Sequence, residues 1–224
     1  GPWGTVERAG SEGILRDAAG APAFVWGLGD LVVVRDPRGA RRALWVCAPD
    51  GPREASPLPE DLRECGADWV EAWESERADA LAMMRAAQRA DRRRLVRVAV
   101  DCTVQVVGAL PDRERADALA LLALARAWTE GAADAEAVAR AGASFVDPPW
   151  SSPGGYADGE LGPPRDAVYR AKESVLATDP EGAFCAARAS VSSCGEIVHS
   201  DRHFAATVRA HLPLPVALLA RAGQ

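Results

Sequence analysis

With 224 residues, 48% of them hydrophobic, the chain is long enough to bury one sizeable core, or a core with a small satellite. Its net charge of −6 provides no basic footprint for a phosphate backbone, which argues against nucleic acid and anionic membrane surfaces as partners and favours a basic protein. Five cysteines at irregular spacings do not make a disulfide framework, and no apolar run approaches the roughly 18 residues of a membrane span, so a cytoplasmic location is expected.

Residues 3–48 differ in character from everything after them. The runs AFVWGLGD, LVVVRDPRGARR and ALWVCAP are β-branched and aromatic, and they are separated by Gly-rich and Asp36-Pro37-Arg38-Gly39 turns. That pattern predicts a small antiparallel meander or hairpin. Residues 49–59 carry four prolines and read as a linker.

From Glu60 onward Ala, Leu, Arg and Glu dominate, and these are strong helix formers. Trp69, Ala72, Trp73, Ala80, Leu81, Met84 and Ala87 recur at steps that form one apolar stripe. The stretch 94–110, RLVRVAVDCTVQVVGAL, fits both strand alternation and helical spacing. Its length and its helical neighbours favour helix, with Cys102 on the buried stripe and Asp101 at its border.

Residues 112–130 begin with acidic residues after Pro111 and stop at Gly131, the start and stop signals of a helix. The centre of this segment, ALALLALA, is apolar nearly all round and predicts the central buried helix. DAEAVARAGASF follows as a short helix. Residues 147–163, rich in Pro and Gly, predict a long loop pinned by Trp150 and Tyr156. Helical patterning then resumes to residue 222, with Pro213 and Pro215 dividing the last two helices. The expected fold class is mainly α: a multi-helix bundle or helical array over residues 60–222, with a small N-terminal antiparallel β element.

Chemistry-bearing residues are few. His199 and His203 lie four apart in IVHSDRHFAA, so a continuous helix would project both from one face, where with Asp101, Cys194 or Glu196 they could hold a divalent metal. The ordinary alternative is a hydrogen-bonded polar patch beside the core, and the second ligand pair that a zinc site needs is missing. No Gly-flanked serine elbow and no Cys-His signature accompany HSDRH. Cys102 follows a carboxylate that would raise its pKa, and Gly27–Gly29 is too short for a phosphate-binding loop.

VAVDCTVQVV (98–107), LALARAWTEG (122–131) and IVHSDRHFAA (197–206) together resemble segments of the immunity proteins of bacterial polymorphic toxin systems. The resemblance rests on Asp101-Cys102, on Arg126, Trp128 and Gly131, and on His199 and His203, and it covers roughly residues 60–212. It implies an all-helical, Ala-rich fold and a toxin as partner. It also implies a polar network of Asp101, Arg126, His199 and His203 that fixes helix packing, lines a pocket or holds a metal. The expectation is therefore a non-catalytic protein, without cofactor, that binds another protein. Trp26, Trp45, Trp150, Tyr156 and the acidic residues Glu60, Asp61 and Glu64 are the candidate contact surface. A metal-binding or small-molecule-processing protein built on His199 and His203, and a scaffold component of an assembly, are the alternatives.

Overall fold

The computed structural model describes residues 57–67, 69–144 and 162–221, and these are mainly helical. The β element expected over residues 3–48, with Trp26 and Trp45, lies outside the described residues, as do Trp150 and Tyr156. The helices are α1 (Glu60–Arg63), α2 (Trp69–Glu74), α3 (Ala80–Ala86), α4 (Arg92–Val106), α5 (Asp112–Glu130), α6 (Ala135–Ala141), α7 (Gly162–Leu176), α8 (Pro180–Val198), α9 (Ala205–His211) and α10 (Leu214–Arg221). None of them is long and apolar enough to cross a membrane.

The ambiguous stretch is helical. α4 starts on an N-cap, with the Asp91 carboxylate accepting from the Arg93 N–H at 3.0 Å, and it tightens into a 3-10 turn at Val107–Ala109. Its valines cost a few tenths of a kcal/mol each in helix propensity. Burial outweighs that cost: Val96, Val98, Val100 and Cys102 have no exposed surface, because α5, α7 and α8 all pack on this helix. α8 supports the packing with Ala183, Ala187, Ser190 and Cys194, small side chains that let helix axes approach closely.

The apolar stripe of residues 60–90 is divided among three short helices. Gly66 turns the chain so closely that a Cβ there would lie 2.4 Å from the Ala72 backbone nitrogen, and Asp79 opens α3 by accepting from the Ala82 N–H at 2.8 Å. Trp69, Ala72, Trp73, Ala80 and Met84 still reach the core. The bounds of α5 match the expected signals, with Gly131 in the left-handed conformation (φ 78°) closing it. Its expected role as the central buried helix is corrected. Ala118, Leu121, Leu122 and Ala125 face inward, while Ala116, Leu119, Ala120 and Ala123 face solvent. Alanine tolerates either environment, so an Ala-rich run does not reveal which face is covered. Gly162 and Pro163, expected in the loop, form the first turn of α7.

Arginine side chains close several helix ends. Arg92 donates to the carbonyls of Ser174 and Val175 at the end of α7, and its guanidinium also lies 5.1 Å from the Trp128 ring centre. Arg209 donates to Trp73 and Ser75 at the end of α2, at 2.7 and 2.5 Å. Arg94 donates to His211, the last residue of α9, at 3.0 Å. These carbonyls lie in or just after the last turn of a helix, where intrahelical donors run out, and in each case a different helix supplies a donor; the Ser75 carbonyl also accepts from the Ala78 N–H at 3.1 Å.

Candidate functional site

Among the described residues a dense polar cluster is centred on Asp101. One helical turn upstream on α4, Arg97 donates to Asp101 Oδ2 at 3.2 Å. Arg126 of α5 donates to Oδ1. From α9, His211 Nε2 lies 2.8 Å from Oδ2. An ionised carboxylate only accepts, so the hydrogen of this bond belongs to Nε2. Arg97 continues outward to Glu130 Oε1 at 2.6 Å and to Thr129 Oγ1 at 3.2 Å. Gln105 donates to the Asp101 carbonyl at 3.1 Å and to Thr207 Oγ1 at 2.8 Å. The cluster thus joins three helices separated widely in sequence.

Partial burial alone would push the Asp101 carboxyl up. The bonds from His211, Arg126 and Arg97 outweigh it and hold the group well below the usual carboxylate range. Arg97 loses hydration to burial but is held above its ordinary value by Glu130 and Asp101. Both carboxylate oxygens of Asp101 are therefore engaged by donors of this chain, an arrangement suited to joining helices and not to abstracting a proton from a bound molecule.

Of the four residues expected to share one network, Asp101 and Arg126 are in contact. His199 and His203 are elsewhere, and their expected shared helix face does not exist. α8 ends at Val198, and His199 closes it in the left-handed conformation (φ 55°). His203 lies in a separate 3-10 turn, Asp201–Phe204, where its ring meets the Phe204 ring at 4.9 Å. Both histidines are exposed. Among the described residues no group of three His, Cys, Asp or Glu side chains could hold a metal. The histidine that does join Asp101 is His211, and no spacing signal links positions 110 apart.

Beneath Asp101 lies a buried hydroxyl cluster. Thr103 Oγ1 lies 2.8 Å from the Ala99 carbonyl and 2.9 Å from Ser190 Oγ, and Ser190 Oγ lies 2.8 Å from the Ala167 carbonyl; with one hydrogen on each hydroxyl, donation from Thr103 to Ser190 and from Ser190 to Ala167 links the three helices. This pins α4, α7 and α8 together. Ser193 donates to the buried Asp166, which also accepts from Arg170 at 3.1 Å. Cys102 and Cys194 are both buried in this region. Burial pushes the Cys194 thiol up to about 12 and the Cys102 thiol well above its ordinary value, so neither supplies a thiolate at neutral pH.

On the surface, Glu60 and Asp61 of α1 and Glu64 at its C-terminal end face Asp79 and Arg85 across an open recess of about 560 Å³. Asp61 is paired with Arg85 at 2.8 Å. Asp201 extends the negative region: burial pushes its carboxyl up, and the nearby Asp79 and Glu196 add to the effect, with Arg85 opposing it. A Cβ on Gly195 would lie 1.8 Å from Asp201 Oδ1, so this carboxylate rests directly against the backbone of α8.

No family model, curated protein or solved structure matches this chain.

Proposed function

We propose that this is a non-catalytic helical protein that binds a partner protein carrying a basic surface, in the manner of an immunity protein neutralising a bacterial toxin. The observation that carries the reading is the recess between α1 and α3, where the carboxylates of Glu60, Asp61, Glu64 and Asp79 surround the single guanidinium of Arg85. Four negative charges against one positive charge leave a local excess of three in an already acidic chain. Such a field accelerates encounter with a cationic surface and disfavours anionic competitors. Neutralisation by mass action requires only occupancy, so neither a nucleophile nor a general base is needed. The Asp101 cluster then serves as the internal brace of the scaffold that presents the recess.

The test is co-expression with the product of the neighbouring gene, together with binding measured between the two purified proteins. Restored growth and binding that weakens steeply with salt are expected. The double reversal Glu60→Lys/Glu64→Lys should abolish both while leaving the helical content unchanged. Binding that is indifferent to this reversal and to salt would overturn the proposed surface.

A further inference from the structure

α5 carries a second apolar face directed away from its own core. Ala116, Leu119, Ala120 and Ala123 are exposed on it, and Leu119, at 43%, is a large hydrophobic side chain left open to solvent. Arg113, Ala116, Ala120, Ala123, Ala127 and Glu130 follow one another at alternating steps of three and four residues. That is the seam of a heptad repeat, and it runs along nearly the whole length of α5. The buried side chains of α5, Ala118, Leu121, Leu122 and Ala125, lie on the opposite side of the helix, and near its C-terminal end Arg126, Trp128, Thr129 and Glu130 also meet α4.

We propose that this face docks against the same face of a second copy of this chain, with the two α5 helices antiparallel. The end charges determine both occupant and direction. Arg113 and Glu130 occupy the two terminal seam positions and are 80% and 56% exposed; within the chain Arg113 lies 3.5 Å from Glu114 and Glu130 accepts from Arg97 through Oε1 at 2.6 Å, so pairing with a second copy adds to these contacts. In the antiparallel arrangement Arg113 of each copy meets Glu130 of the other, Ala116 meets Ala127, and Ala120 meets Ala123. The face is thereby complementary to itself, as a two-fold interface requires. A parallel pairing would set Arg113 against Arg113 and Glu130 against Glu130. The alanines allow close approach of the two backbones, and Leu119 and Leu124 flank the seam on either side. One helix face is small for an interface, so the dimer dissociates on dilution.

Sedimentation of the full chain over a concentration series tests this. The expected result is a mass that rises toward twice that of the monomer, with less association at high salt. Ala120→Glu and, separately, Ala123→Glu place a charge on the seam at exposed positions, and both variants should remain monomeric with unchanged far-ultraviolet circular dichroism. Arg113→Glu should also weaken association, and mixing it with a Glu130→Arg variant should restore it by making the end charges opposite again. A mass independent of concentration would overturn the proposal, as would an Ala120→Glu variant that associates like the parent.

Discussion

His211 and Asp101, 110 positions apart, share a 2.8 Å hydrogen bond that fastens the end of α9 to the middle of α4. Arg94 holds the same residue by its carbonyl. The C-terminal helices are thus attached to the central helix through both the side chain and the main chain of one residue.

The carboxyl of Asp101 is held below its ordinary range in the folded chain, whereas in the unfolded chain it titrates at about 4. A depressed folded value means that the group contributes stability above the unfolded pKa. That contribution diminishes as the pH falls through about 4 and toward the folded value. Asp101→Asn should therefore lower stability at neutral pH by about 2 kcal/mol and flatten the acid side of the pH–stability curve. Denaturant titrations from neutral pH into acid measure this. Parallel curves for the two proteins would show that Asp101 does not carry the acid sensitivity. His211→Ala, which removes one donor and leaves both arginines, should cost about 1 kcal/mol at neutral pH.

His199 holds the left-handed conformation that glycine adopts without strain. Its side chain is exposed, so His199→Gly should raise stability by roughly 0.5–1 kcal/mol, measurable as a higher thermal midpoint. A loss of stability would reveal a contact of the imidazole that the geometry of this turn does not contain.

Gly195 lies inside α8, where alanine would ordinarily stabilise by about 1 kcal/mol. Here Gly195→Ala should instead destabilise by roughly 1–3 kcal/mol, because the new methyl occupies the place of Asp201 Oδ1. Combining it with Asp201→Ala should recover most of the loss. Thermal unfolding of the single and double variants gives the sign, and additive effects would mean that the two residues are not in contact.

Part of this architecture was legible in the sequence. Pro111 and Gly131 bracket α5 at the bounds observed, and the alternating valines of residues 94–110 were correctly outweighed by their helical surroundings. The pairing of Asp101 with Arg126 is found, but in this sequence nothing marks His211 as the third partner, because the chain returns to α4 only through the packing of α9. The expected face of His199 and His203 failed for a local reason: a backbone reversal at a non-glycine residue leaves no Gly or Pro as a warning. The exposed side of α5 was hidden because alanine at an interface, in a core and on a surface is the same letter.

Arg92, Arg94 and Arg209 close the ends of helices to which they do not belong. A helix terminus ordinarily frays because its last carbonyls can exchange protein partners for water at little cost. Here unwinding the end of α2, α7 or α9 also strips a guanidinium anchored on another helix, so the loss is shared between two elements. Amide exchange at these termini should accordingly track that of the core helices, giving one collective opening in place of separate frayed ends. The arginine bias of the sequence, 26 cationic residues with Lys172 the one lysine, then bears on cooperativity as well as on charge, since a planar fork reaches two carbonyls where an ammonium presents a point charge.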